Sequence, residues 1–321
     1  MTIMSKDAHL LEIPMSVDVP MNVDVVMVNY HSWRVLPASV RAAQSFVGNG
    51  SSFLFVDNSP GDGAQDVIAD VAPGSTVIEN PRNVGFAAAV NQGIEAGTAD
   101  VVLLLNPDIA SISGDFSDVE EAFREDPRLA AVTVRLLNPD GSVPRHIRAQ
   151  PTLLDLIASA PGIGHRLKRW KRMKRFMLYG WDYESRREVD TACAACLWIR
   201  RSALEDVGPF DERFFFYWEE TDWLVRAKAR GWKTVFLPSI EAIHASRTST
   251  ESDFGALDFL LLESQHKYVR KHFGLAGSIL FRASFIVFDS LRWLRSLPGT
   301  KYAQRRGELR RRLSIHLGGS A

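Results

Sequence analysis

Only two cysteines occur in 321 residues, Cys193 and Cys196, which excludes a disulfide framework; with no second half, the pair does not make a structural zinc site either. A reducing cytosol is the expected setting. Net charge is also missing: 38 Lys and Arg offset 38 Asp and Glu, so no global field draws the protein to nucleic acid or membrane. No apolar run goes uninterrupted for long. Lys6, Asp7, Glu12 and Pro14 break the opening segment, which reads as a leader over 1–22 rather than a secretory signal. Arg282, Asp289, Arg292 and Arg295 break Phe273 to Leu297, which falls short of the roughly 20 apolar residues that span a bilayer. No Gly-x-Gly-x-x-Gly follows the first apolar strand, which sets aside a dinucleotide-binding dehydrogenase.

What is present is alternation. Asp24 to Tyr30, Ser52 to Asp57, Thr76 to Glu79 and Asp100 to Leu105 are short apolar or β-branched runs ending in turn residues, and so read as buried strands. Val35 to Phe46, Gly63 to Val71 and Gly85 to Ala96 lie between them and can be helical. The pattern predicts an α/β fold with a doubly wound, mostly parallel sheet flanked by helices, whose ligands sit beyond the carboxyl ends of the strands. Leu129 to Leu137 and Asp190 to Arg201 read as further strands and Pro151 to Arg187 as an irregular basic stretch. Glu219 to Ala229 reads as a helix, Trp232 to Leu237 as a strand, and Phe254 to Leu297 as two helices forming a C-terminal extension. The expected division is 23–250 as catalytic domain, split into a nucleotide-binding half (23–110) and an acceptor half (111–250), with 251–321 as the helical region.

The polar tails of the strands carry the candidate chemistry. Asp57-Asn58-Ser59 places a carboxylate acceptor at a strand end, where a pyrimidine N3–H or a ribose hydroxyl needs one. Asn83-Val-Gly85-Phe86 opens a helix that carries Asn91, and Gly85 lets the backbone approach a ligand. Asn106-Pro-Asp108 stops an apolar run with a rigidly held acid, suited to Mg²⁺ or Mn²⁺ bridging a diphosphate. Phe214 to Asp222 places Glu219, Glu220 and Asp222 at a helix start behind an aromatic wall that includes Tyr217 and Trp218. A sugar transfer needs one such carboxylate as base and aromatic faces to hold sugar rings. His244 is placed to ligate the same metal or touch the diphosphate.

The ordered series Val28-Asn29-Tyr30-His31, Val56-Asp57-Asn58-Ser59, Asn83 to Ala87 with Asn91, Leu104 to Asp108, Val207 to Asp211, Phe216 to Asp222 and His244 resembles the motif set of family 2, GT-A fold inverting glycosyltransferases, rhamnosyltransferase branch. The resemblance implies that Asp57 binds the base and that Asn29, Tyr30, Asn58, Asn83, Gly85, Phe86, Asn91 and Asn106 line the nucleotide-sugar site. It implies that Asp108, the last acid of a reduced DxD motif, and His244 hold a divalent cation, Mg²⁺ or Mn²⁺. Glu220 matches the catalytic base, with Glu219 or Asp222 as alternatives, and Tyr217 and Trp218 face the acceptor. Cys193 and Cys196 stand where the family usually has a glycine and read as small packing residues. The implied reaction is a single in-line displacement from a nucleoside diphosphate sugar, dTDP-L-rhamnose foremost, onto a lipid-linked or polysaccharide acceptor. Galactofuranosyl or N-acetylhexosaminyl transfer, or a catalytically degenerate sugar-nucleotide-binding protein, are the other readings.

Arg166, Lys168, Arg169, Lys171, Arg172, Lys174 and Arg175 form an acid-free basic run with Leu167, Trp170, Met173 and Phe176 interleaved. It suits an anionic leaflet or the diphosphate of a polyprenyl-linked acceptor. Nothing resembles a nucleic-acid module. The C-terminal helices are expected to lie on a membrane or pack on the catalytic domain, putting the enzyme at the cytoplasmic face of the cell membrane.

Overall fold

The computed structural model describes residues 21–48, 50–159, 167, 169–245, 254–295 and 303–317. The leader expected before the first strand therefore lies outside the described residues but for its last two, and so do Arg166 and Lys168 of the basic run. The first half follows the expected alternation: β1 (Val23–Asn29), α1 (Leu36–Val47), β2 (Ser51–Asp57), α2 (Ala64–Val71), β3 (Thr76–Glu79), α3 (Phe86–Ala96) and β4 (Val101–Leu105). β1 pairs in parallel with β2 on one side and β4 on the other, and β2 with β3. Register aligns Asn29 with Asp57. The carboxyl ends of β1, β2 and β4 thus open on one edge, where a doubly wound sheet puts its ligands.

Beyond β4 the sheet is mixed. The chain continues as β5 (Ile109–Ser113), α4 (Ser117–Glu125), β6 (Leu129–Leu137), β7 (Ile147–Arg148), α5 (Leu153–Ala158), α6 (Lys171–Phe176), β8 (Arg187–Val189), β9 (Thr191–Ala192) and β10 (Cys196–Arg200). Then follow α7 (Arg201–Val207), α8 (Glu219–Ala229), β11 (Lys233–His244), α9 (Phe254–Arg295) and α10 (Ala303–His316). The strand order is β3-β2-β1-β4-β10-β6-β11-β5, with β8 on β11 and a separate β7–β9 ribbon. β10 runs antiparallel to β4 and β6, and β6 and β11 are parallel.

Three expectations need correction. The strand read over Asp190 to Arg201 is two strands, because a turn at Cys193–Ala195 sends β9 to β7 and β10 into the main sheet. The strand read as ending at Leu237 continues through Pro238 and a register shift to His244, pairing with β5. The irregular stretch contains α5, closed by a Thr152–Asp155 capping box, and α6.

Two apolar layers cover the sheet: one centred on Phe55, Phe123 and Trp198, the other on Leu197, Phe210 and Trp223. A third cluster, with Met173, Phe176, Tyr268, Phe281 and Phe285, packs α9 and α10 against α5, α6 and the Phe214–Trp218 loop. α9 breaks at Gly274 (φ 68), a left-handed conformation that glycine adopts freely, so it is two helices as the sequence predicts. By length and composition Phe259–Leu294, which holds an 18-residue window of mean hydropathy 1.4, does qualify as apolar enough to cross a membrane, although its charges disqualified it in the sequence. One of those charges is internal: Asp289 is buried and bonded to Arg292, Arg312 and His316.

Candidate active site

The parallel register sets Asn29 beside Asp57, and their side chains meet: Asn29 Nδ2 donates to Asp57 Oδ1 at 2.9 Å. The Ser59 amide donates to the same oxygen at 2.9 Å. The other carboxylate oxygen accepts no hydrogen bond among the described residues. Asp57 is 1% exposed, so half of a rigidly held, buried carboxylate is left to accept from a ligand. Asn58 Nδ2 donates to the Gly85 carbonyl at 3.2 Å, and Asn80 to Asn58 Oδ1 at 2.9 Å, which ties the β2 tail to the start of α3. Tyr30, half exposed, lies at the rim beside His31.

Asn83 Oδ1 accepts from the Gly85 amide at 2.9 Å, and the Phe86 amide donates to the Phe215 carbonyl at 2.7 Å. Gly85 has φ 92, and a Cβ there would meet Phe215 O at 2.7 Å. The close approach that requires this glycine is thus to the protein's own aromatic loop. Asn91 likewise acts inside the protein: its carboxamide accepts from the Phe210 amide at 3.0 Å and donates to the Phe210 carbonyl at 2.9 Å and to Glu212 at 3.0 Å. It braces α3 against the Gly208–Asp211 turn, a structural task where nucleotide contact was expected.

Asp108 and His244 come together across 136 residues of sequence because β11 runs on to pair with β5. Asp108 Oδ1 and His244 Nε2 lie 3.0 Å apart, and Asn106 Nδ2 is 3.4 Å from the same nitrogen. The Ala245 amide closes the loop on the Asp108 carbonyl at 2.9 Å. Carboxylate oxygen plus imidazole is a donor set that fits a divalent cation whose remaining positions go to phosphate oxygens. No third His, Cys, Asp or Glu joins them among the described residues.

The three acids of the α8 start divide by environment. Tyr217 (φ 67) and Trp218 (φ 73) are consecutive left-handed residues, which cost about 1 to 3 kcal/mol each and turn the chain sharply into α8. Glu219 and Glu220 each keep one buried oxygen without a hydrogen-bond partner. Burial pushes Glu219 well above the ordinary glutamate range, with Glu220 beside it adding to the rise. Burial also raises Glu220, while hydrogen bonds, one from Glu219, and the nearby Arg148 guanidinium pull it back. Both carboxyls of the pair are thus held above the ordinary range, and the Arg148 guanidinium favours the charged form of Glu220. Asp222 corrects the expectation of a third candidate. It is fully buried and bonded to His272 (2.8 Å), Arg226 (2.9 Å) and Lys271 (2.7 Å). Burial would raise its carboxyl, but these bonds together hold it below the ordinary value, so it is a clasp between α8 and α9 and a poor proton acceptor.

Trp218 is also reassigned. It is 9% exposed and packs on Tyr268 of α9 (ring centroids 4.8 Å) in the third cluster, away from an acceptor. Tyr217 is half buried against Phe216. Cys193, on the turn after β9, lies within electrostatic reach of Glu219, Glu220 and Asp108, so the presumed donor and acceptor sides meet there. Burial and Glu220 push its thiol up to about 12, which leaves it an uncharged wall. Sequence reasoning missed Arg148, which the β7–β9 ribbon brings beside Glu220. It also missed the role of Phe215, whose carbonyl anchors α3. Nothing in a local pattern marks either.

The basic run is partly spent internally. Arg172 and Arg175 pair with buried Asp155 at 2.8 and 3.0 Å, leaving Arg169, Lys171 and Lys174 as exposed cations of its described part.

Known proteins with this arrangement transfer sugars. The chain is 30% identical over 268 residues to the N-acetylglucosaminyl-diphospho-decaprenol L-rhamnosyltransferase of Mycobacterium tuberculosis, covering 75% of this chain and 85% of that one. It is 25% identical over 253 residues to the low-salt glycan biosynthesis hexosyltransferase Agl10 of Haloferax volcanii, covering 74% and 73%. Among solved structures, the mannosyltransferase PcManGT from Pyrobaculum calidifontis, in complex with GDP-Man and Mn²⁺, superposes with a TM-score of 0.55 at 12% identity, covering 94% of this chain and 88% of that one. This likeness bears out the GT-A fold. The profile described as Glycosyl transferase family 2 matches residues 24–208, more than half of the chain, and the protein is a glycosyltransferase of that family.

Proposed function

We propose that the enzyme moves L-rhamnose from dTDP-L-rhamnose, with inversion, onto a lipid-linked glycan acceptor whose first sugar carries a diphosphate, as in the acceptor named for the mycobacterial relative. What supports this reading is three groups at element ends: a half-free carboxylate (Asp57) at the end of β2, a carboxylate–imidazole pair (Asp108, His244) beyond β4, and a buried carboxyl pair (Glu219, Glu220) at the start of α8, the groups that a nucleotide, a diphosphate and an acceptor call for.

Asp57, fixed by Asn29 and Ser59, takes the N3–H of a pyrimidine on its free oxygen. Asp108 and His244 would hold a divalent cation, which supplies charge neutralisation for the departing diphosphate. Glu220 takes the proton of the acceptor hydroxyl as that oxygen attacks the anomeric carbon and the bond to the diphosphate oxygen breaks. Glu219 stays protonated and hydrogen-bonded to it. Cys193 and the aromatic loop line the gap and keep water out.

The site of action in this reading is the inner face of the cell membrane. Its support is the outer face of α9, where Leu275, Ile279, Leu280, Val287, Leu291 and Leu294 are all 46–59% exposed. The deciding assay incubates the purified protein with dTDP-, UDP- and GDP-linked sugars and a short-chain N-acetylglucosaminyl diphosphate lipid, with and without Mn²⁺. Transfer from dTDP-rhamnose alone, giving an inverted linkage, is expected. Transfer from a UDP-sugar instead would sink the donor assignment, and no transfer from any donor would sink the catalytic one.

A further inference from the structure

Two exposed arginines, Arg145 and Arg148, sit at the β7 strand, and Glu220 is the acid whose charge Arg148 feels. Arg148 ends β7, and Thr191 Oγ1 donates to its carbonyl at 3.1 Å, so the ribbon fixes its backbone beside α8. Arg145 stands 4.2 Å from the centroid of the Tyr179 ring, an aromatic face that holds the guanidinium in place without neutralising it. Neither makes an ion pair among the described residues. Elsewhere in the same body arginines are committed: Arg172 and Arg175 to Asp155, Arg201 to Asp24, Arg226 to Asp222. Arg148, like Arg145, is exposed, so its guanidinium is open to solvent. Two such cations three residues apart at one ribbon form a site for an anion, and planar guanidinium groups match phosphate oxygens two at a time.

Which anion follows from position. The donor's diphosphate is assigned to Asp108 and His244 at the end of β4. Arg148 pairs with Thr191 in the β7–β9 ribbon, two residues before Cys193, and β9 packs on α8, whose first turn carries Glu220, where the reacting hydroxyl of the acceptor must stand. A sugar that carries a diphosphate on its anomeric oxygen and presents a ring hydroxyl to Glu220 brings that diphosphate within one ring's width of the same carboxylate. We propose that Arg148, assisted by Arg145, is a binding site for the diphosphate of the acceptor, separate from the donor's diphosphate site. This rests on the proposed transfer to a diphosphate-linked acceptor and adds the residues that select it. An acceptor ending in a neutral glycoside would leave the two cations unpaired.

The test reads binding, so that a wrong choice of donor or acceptor sugar does not decide it. With dTDP held saturating, geranyl diphosphate is titrated into the full-length protein and heat is measured. The wild type is expected to bind it, and Arg148→Gln to bind it about tenfold or more weakly, the loss of a charge-assisted contact. Arg148→Lys should recover part of the affinity, because a point charge remains where the fork is lost. Geraniol should bind wild type and variants alike. Arg145→Gln, on an exposed side chain, provides a second variant, and an unchanged melting midpoint in each shows that it is folded. The proposal is overturned if the wild type does not bind geranyl diphosphate, or if all variants bind it equally. It is also overturned if Arg148→Gln loses affinity for dTDP, since the guanidinium would then belong to the donor.

Discussion

Glu219 and Glu220 are neighbours in sequence with the same side chain, and their surroundings separate them. A buried carboxyl pair shares a proton because two adjacent charges out of water repel. The Arg148 guanidinium favours the charged form of Glu220, which makes Glu220 the base of the proposed reaction. Glu220→Gln should therefore abolish transfer while leaving dTDP affinity within a few-fold; undiminished turnover would hand the base to another residue. Glu219→Gln should retain measurable turnover, because its proton-holding role survives in an amide. The raised Glu220 carboxyl also fixes the sign of the pH dependence. The base must be ionised, so activity falls on the acid side, with its midpoint above the ordinary glutamate value. Removing Arg148 removes one of the effects that pull Glu220 down, so the acid limb in Arg148→Gln should move to higher pH. A limb that stays put, or moves to lower pH, in kcat measured at saturating acceptor would show that the guanidinium does not act on Glu220.

At the scale of elements, the α8–α9 clasp ties the catalytic body to the C-terminal helices. Asp222 of α8 meets Arg226 of its own helix and Lys271 and His272 of α9, fully buried. Breaking such a network from one side strands the opposite charges, and Asp222→Ala should cost about 3 to 5 kcal/mol of stability. Since the folded carboxyl titrates below its ordinary value, its contribution is present above the usual aspartate range and lost as pH falls through the lowered value. The melting midpoint of Asp222→Ala should therefore converge with that of the wild type in strong acid, and a constant gap would contradict the linkage. The sequence showed Asp222 only as one acid of three, because two of its three partners, Lys271 and His272, lie about 50 residues away. The same holds elsewhere. β1 to β4 were legible because each is a short apolar or β-branched run bounded by turn residues and separated from the next by a helix-length segment. β9 and β10 were read as one strand, because the turn between them is made of small apolar residues that look like strand interior. β11 was cut short at Pro238, a residue that usually ends strands, although the chain only shifts register there. Asp57 and Asp108 could be read as strand-end acids, whereas Arg148 depends on Ile147 and Arg148 pairing with residues more than 40 positions later. Gly85 was legible as a special backbone position but not for the right contact. With φ 92 and Phe215 O at 2.7 Å from any added Cβ, Gly85→Ala should lower the melting midpoint and weaken nucleotide binding together, through displacement of the aromatic loop.

At the scale of the whole molecule, a protein with no net charge can be drawn to a membrane only through a local surface, as the proposed site of action requires. On the inner side of α9, Phe281 and Phe285 are buried and Asp289 is bonded to Arg292, Arg312 and His316, so that side is committed to the protein. The opposite side repeats an apolar residue every three or four positions from Leu275 through Ile279, Ala283, Val287 and Leu291 to Leu294 and leaves them in solvent. A helix with one face spent on protein and the other bare and apolar suits the plane of the bilayer surface, where each apolar side chain buried recovers about 1.5 to 3 kcal/mol. The flanking α6 adds exposed Lys171 and Lys174, each worth about 1 kcal/mol near anionic lipid. Ile279→Glu with Leu291→Glu should therefore release the protein from vesicles containing anionic lipid without lowering its melting midpoint, since both side chains are exposed. Lys171→Gln with Lys174→Gln should weaken binding to anionic vesicles and leave the residual binding to neutral ones unchanged. Transfer to an acceptor embedded in vesicles should fall with release, while transfer to a short, water-soluble acceptor stays at the wild-type rate. If the glutamate pair stays bound to vesicles, the bare face of α9 is not the membrane contact. If it melts lower, that face is covered by protein in solution, and the apolar stripe belongs to an interface instead.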